Sequence, residues 1–155
     1  MFQWIEDSAV AEYIRVSAFG YPAMITLHSL GLAIMVGLSV VLSLRVLGFF
    51  GTIPYPSLYR LLKVAWVGFI VNFISGGLLF AAQATTYMTD VTFLLKMSLV
   101  IIGAILVGIL QSMVKKGVTE WRPGEPAPTA AKVVAALAIV AWTGGMVTGR
   151  LIAYL

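Results

Sequence analysis

The sequence contains no cysteine, a single histidine, His28, and only 10% charged residues in a chain of 155. Without cysteine there is no disulfide framework, no thiolate nucleophile and no thiolate metal site. One histidine without cysteine denies a zinc hydrolase its ligand set. A haem held by two histidines of one chain is likewise impossible. Carboxylates are scarcer than bases, 6 against 10, and none falls inside a long apolar run, so no embedded acid balances an embedded cation. The basic repeat of a voltage sensor is missing. No nucleophile motif accompanies His28, which leaves a Ser/His/Asp hydrolase without support.

What the chain has in excess is oil. Hydrophobic residues make up 61% of it, 15 residues are glycine, and the mean hydropathy is +1.01. Soluble domains run near 45–50% apolar with about a quarter of residues charged. The composition therefore specifies an integral membrane protein and excludes a soluble enzyme, a nucleic-acid module and a disordered tail. The net charge of +4 reads as basic loops at one membrane face, not as affinity for nucleic acid.

Four apolar spans are expected, at about 23–47, 64–83, 91–114 and 133–155. Roughly 20 apolar residues cross a bilayer, and backbone groups in lipid must be satisfied within the segment, so each should be a helix. Continuous apolar runs exclude a barrel, whose strands alternate. The expectation is an all-α, single transmembrane domain over 1–155, a four-helix bundle in the lipid bilayer. Ahead of it, about 7–18 reads as an amphipathic interfacial helix with Val10, Ile14 and Ser17 on one side. The first 20 residues carry Glu6 and Asp7 where a signal peptide would be basic, so the first span is expected to act as an uncleaved insertion signal. Residues 48–63 and 117–129 read as proline-bearing loops, and 84–90 as a tight link.

Charge sets the expected orientation. Arg45, Arg60, Lys63, Lys115, Lys116, Arg122 and Lys132 cluster at the first and third loops against Glu120 and Glu125; the opposite side has Arg15, Lys96 and Arg150 against Glu6, Asp7, Glu12 and Asp90. The positive-inside rule puts the first and third loops in the cytoplasm and both termini in the periplasm of a bacterial inner membrane.

Three ionisable residues fall inside the spans away from the basic end: His28, Lys96 and Arg150. At 1.5 Å rise per residue each lies roughly 7–9 Å below the same face, although successive helices run in opposite directions. Cations in one layer without an acid call for an anionic partner, such as haem propionates, a lipid phosphate or a carboxylate substrate. The plainer reading is that Lys96 and Arg150 snorkel to the headgroups and that His28 is a packed, hydrogen-bonded side chain. Helical spacing gives these residues neighbours: Met24, His28, Gly31 and Met35; Asn72, Gly76, Leu79 and Gln83; Thr92, Lys96 and Gly103; Ile139, Thr143, Met146 and Arg150. A bundle that turned these stripes inward would hold a ligand between helices. Gly31 would clear room for a flat ring beside His28 as metal ligand, and Met24, Met97 and Met146 stand at depths suited to a sixth iron ligand. Gly145 with Gly149, and Ala104 with Gly108, read first as close-packing pairs.

Several phrases carry a resemblance: Ile14-Arg15-Val16-Ser17 before Tyr21-Pro22, Leu27-His28-Ser29-Leu30-Gly31, Leu44-Arg45-Val46-Leu47-Gly48, Gly76-Gly77-Leu78-Leu79-Phe80, Phe93-Leu94-Leu95-Lys96 and Gly149-Arg150-Leu151-Ile152-Ala153-Tyr154. With these, nearly the whole chain resembles a bacterial family of small four-helix inner-membrane proteins of unknown function. The resemblance implies that His28, Lys96 and Arg150 belong to characteristic phrases, and it implies no activity. The chain departs from that pattern at Ala23-Met24-Ile25-Thr26, where an acid often precedes the histidine, and at Gln111-Ser112, where a second histidine often stands.

The leading expectation is a small inner-membrane subunit, not an enzyme on its own, that holds a haem b or a quinone near the periplasmic face of a larger redox assembly. The cofactor-binding residues would be His28, Lys96, Arg150, Gly31 and Met146. Two alternatives stand beside it: a structural or assembly subunit contacting other membrane subunits or a second copy of itself, and an oligomeric anion transporter or channel.

Overall fold

The structure, a computed structural model, describes residues 2–121, 126–152 and 154, with the backbone alone at 118–120. Arg122, Pro123 and Glu125 of the third loop, Ala153 and Leu155 lie outside the described residues, as does the side chain of Glu120. Among the described residues seven helices are formed: α1 (Gln3–Glu6), α2 (Ala9–Val16), α3 (Gly20–Leu47), α4 (Tyr55–Ala81), α5 (Ala84–Tyr87), α6 (Val91–Glu120) and α7 (Thr129–Leu151). Four of them, α3, α4, α6 and α7, are long and apolar enough to cross a membrane. The expected four-helix, all-α architecture is thus present.

The spans start earlier or end later than hydropathy alone suggests. α3 begins at Gly20 with Pro22 in its first turn, and α4 begins at Tyr55 with Pro56 beside it. Proline is harmless there, because the first N–H groups of a helix have no intrahelical acceptor. Most of the stretch read as a first loop is therefore helix. α6 carries Lys115 and Lys116 in its continuation, since apolar length decides what lies in lipid and not where hydrogen bonding stops. The link at 84–90 contains α5. Gly48 ends α3 at φ 109°, a left-handed turn that returns the Gly48 N–H to the Arg45 carbonyl and the Phe49 N–H to that of Leu44.

The helix expected at about 7–18 is α2, Ala9–Val16, and a further short helix, α1, precedes it at Gln3–Glu6. Ser8 breaks them apart and caps α2 by accepting from the Ala11 N–H at 3.3 Å. Ala11 and Ile14 are buried against the bundle, whereas Val10, expected on the inward side, is exposed. α2 packs on α3 and α4, and α1 on α5.

Packing divides the bundle into two hairpins. α3 lies against α4 and α6 against α7; α7 also rests on α3, while α4 and α6 meet more sparsely. The interior is built from Met35, Leu42 and Val46 of α3, Leu58, Leu62 and Ala65 of α4, Val107, Leu110 and Val114 of α6, and Ala131, Ala135, Ala138 and Trp142 of α7. Small residues dominate the inward face of α7 because helices in lipid gain contact by approaching closely, not by hiding oil from water.

Candidate functional site

The α3–α4 crossing sets the geometry of the site. A Cβ placed on Gly31 would lie 2.5 Å from the Gly68 carbonyl oxygen and 2.7 Å from the Asn72 nitrogen, and one on Gly76 would lie 2.8 Å from Cε1 of His28. Glycine at 31 lets the two backbones meet, and glycine at 76 makes room for the His28 ring. The space beside Gly31 is therefore filled by α4 itself, and the expected clearance for a flat ring at that residue is absent.

His28 is held in this crossing by Asn72. Its Nδ1 lies 3.0 Å from the Asn72 carbonyl oxygen and 3.2 Å from Asn72 Nδ2, while Nδ2 donates to the His28 carbonyl at 2.8 Å. Because the amide already donates to that carbonyl, and because two lone pairs would repel at 3.0 Å, we assign the ring proton to Nδ1, donating to the Asn72 carbonyl. This tautomer leaves Nε2 with a free lone pair. Among the described residues no hydrogen bond engages Nε2. Ser75, one turn further on, is buried and returns its hydroxyl to the Val71 and Asn72 carbonyls.

Lys96 approaches from α6. Its stem lies along Gly149 of α7, where an added Cβ would sit 3.4 Å from Cε and 3.8 Å from Nζ. It stands close enough to His28 for the two to interact electrostatically, and it is half-buried. Among the described residues no carboxylate pairs with it; the ion pair formed there joins Arg15 to Glu6 at 3.6 Å, on the periphery. Gly149 thus serves lysine passage as well as helix packing.

The other expected members are elsewhere. Arg150 and Met146 are exposed on the outward face of α7. Thr143 shares that face, while Ala138, Trp142, Gly145 and Thr148 turn inward. The stripe read from polarity was thus one step out of register with the small-residue stripe that does the packing. Asn72 was visible as a polar residue inside a span, but nothing in one sequence said that it would face His28. The close approach at Gly31 and Gly68 is what brings them together.

Two further polar features frame the site. Below it, Trp142 is 1% exposed and its indole N–H has no hydrogen-bond partner among the described residues; it fills the middle of the bundle against Gly103. Above it, Glu6 accepts hydrogen bonds from the backbone N–H of Thr85, at 3.1 Å, and from its hydroxyl. These bonds hold the Glu6 carboxyl below the ordinary carboxylate range, with Arg15 adding to the effect. The Arg15 guanidinium also donates to the Glu6 carbonyl at 3.0 Å, so α1, α2 and α5 form a strap across the outer end.

Compared with protein-family models, with curated proteins and with solved structures, the chain gives no match.

Proposed function

We propose that the chain is a small subunit of a bacterial inner-membrane redox assembly that binds the polar head of a quinone between α3, α4 and α6, near the periplasmic end. One observation carries this reading: a half-buried lysine, in no ion pair among the described residues, lies within electrostatic range of a histidine whose Nε2 makes no hydrogen bond among them and whose other nitrogen is fixed by the Asn72 backbone carbonyl. A donor cation next to an acceptor nitrogen suits a head group that is carbonyl in one state and hydroxyl in the other. In the quinol form a hydroxyl donates to Nε2, which accepts its proton; Lys96 offsets the negative charge left on the oxygen. Oxidation of the quinol to the quinone would release a second proton, to water at the nearer end of the bundle, and two electrons, which a redox centre of a partner subunit would have to accept.

Haem is the poorer fit. Nε2 is chemically able to ligate iron, and a carbonyl on Nδ1 is the usual support for that role. Yet Met146, one of the three methionines at a depth suited to the opposite ligand, faces outward, and the room expected at Gly31 is occupied by α4. Among the described residues no group of three or more His, Asp or Glu side chains is gathered for a metal. The orientation, with cytoplasmic first and third loops and periplasmic termini, follows from the excess of bases at one end.

A short-chain quinone titrated into the protein in lipid nanodiscs should bind saturably. Lys96→Gln should weaken binding about tenfold, the scale of a hydrogen bond to a charged group. His28→Ala should weaken the quinol more than the quinone. Binding that is absent, or indifferent to both substitutions, overturns the reading; a Soret band in the purified protein would replace it with haem.

A structural or assembly role has its own support, the mutual hydrogen bonding of His28 and Asn72 across the glycine crossing. On that reading His28→Ala destabilises the hairpin, and Lys96→Gln changes nothing.

A further inference from the structure

The basic end of the bundle carries a second site, independent of the quinone reading. A shallow groove of about 250 Å³ opens between α4 and α6, lined by Pro56, Tyr59, Arg60 and Lys115. Its two cations come from different helices, and both side chains are exposed. Among the described residues neither Arg60 nor Lys115 is in an ion pair. Arg60 sits in the second turn of α4, which starts at Tyr55, and Lys115 near the end of the apolar stretch Val91–Gly117. Both therefore lie at headgroup depth.

The groove also has a floor and walls of the right character. One to two turns deeper, Trp66 of α4 donates to the Gln111 side chain of α6 at 2.7 Å and closes the gap between the helices. Beyond it, exposed Val67 and Ile70 on α4 and Ile105 and Ile109 on α6 offer apolar surface along the same two helices. A phosphate between two cations, a tyrosine hydroxyl beside it and oily surface leading away into the bilayer match a phospholipid rather than a solute. Basic pockets between transmembrane helices bind anionic head groups in this way.

We propose that this groove is a binding site for an anionic phospholipid, with Arg60 and Lys115 clasping the phosphate and Tyr59 hydrogen-bonded to the head group. The acyl chains run along the exposed seam between α4 and α6. An annular lipid held there fills the side on which the two hairpins meet most sparsely.

The test uses the full chain in nanodiscs of phosphatidylcholine with phosphatidylglycerol added stepwise, read by native mass spectrometry of retained lipid and by thermal midpoint. Phosphatidylglycerol should be retained in preference to phosphatidylcholine and should raise the midpoint. Arg60→Gln or Lys115→Gln should each lower retention about fivefold, and the pair roughly twenty-five-fold, from about one charge contact apiece. Lys132→Gln, a basic residue at the same end outside the groove, should leave retention unchanged, and Arg60→Lys should restore most of it in folded protein. Equal retention of the two lipids, or a double variant that still prefers phosphatidylglycerol, overturns the proposal. If glycerol phosphate alone raises the midpoint and displaces the lipid, the site is one for a free anion and the lipid assignment fails.

Discussion

The two seams that α4 makes, with α3 on one side and α6 on the other, are built on opposite plans. Toward α3 the backbones touch: Gly31, Gly68 and Gly76 leave no room for a Cβ, and His28 and Asn72 exchange hydrogen bonds across the contact. Toward α6 long side chains do the reaching. Trp66 bonds to Gln111, and Phe93 stacks on Phe80 and Tyr87 with centroids 5.6 and 5.1 Å apart. In lipid the first plan gains dispersion contact and hydrogen bonds together; the second spans a gap that a neighbour can enter. One seam is made to stay closed and carries the positioned histidine. The other borders the lysine and the lipid groove.

Substitution should separate the two plans, most severely at Gly31. Gly31→Ala drives a methyl into the Gly68 carbonyl and should cost about 2–3 kcal/mol, the range for overpacking a filled interior, seen as a lower midpoint in thermal or detergent unfolding. Asn72→Ala removes the amide that donates to the His28 carbonyl and should cost about 1 kcal/mol, since single hydrogen bonds between membrane helices are modest. The main-chain carbonyl at position 72, which accepts from Nδ1, is kept, so the His28 ring should stay in place and its imidazole resonances remain sharp.

The strap tests the outer end of both seams, because Glu6 reaches from α1, ahead of the α3–α4 hairpin, to Thr85 in the α4–α6 connection. Its carboxyl is held below the ordinary range by Thr85. A depressed carboxylate contributes stability that is present above its unfolded value and is lost as pH falls through the folded one. Amide exchange over residues 3–16 should therefore stay slow at neutral pH and quicken only under acid conditions, whereas Glu6→Ala should exchange quickly at both. The smallest effect belongs to Gly108, whose added Cβ would come no nearer than 4.0 Å to Trp66. Gly108→Ala should change stability by less than about 0.5 kcal/mol, or raise it slightly through helix propensity; a loss as large as at Gly31 would erase the contrast between the seams.

Gly31 and Gly108 look alike in the sequence, each a small residue inside an apolar span, and this shows where reading by pattern stopped. Length and hydropathy were enough for four helices and for the class of protein. That His28 and Lys96 come within electrostatic range of each other was also legible, because level along a helix depends only on rise per residue. Rotation was not. Met146 and Arg150 were grouped with the interior by polarity, yet α7 turns on its alanines, Trp142 and Gly145, since in a bilayer size selects the packed face. The pairing of His28 with Asn72, 44 positions apart, depends on two helices meeting at glycines and has no local signature. Glu6 on Thr85 is hidden for the same reason, being 79 positions apart.

Trp142 gives the bundle a direction. With Met35, Leu42, Val107 and Leu110, all at most 1% exposed, it forms an apolar plug across the middle, and a desolvated proton or anion would face a steep barrier in crossing it. If the site proposed around Lys96 takes up or releases protons, it would exchange them with the compartment nearest the strap. Turnover there would then charge one aqueous phase and not the other.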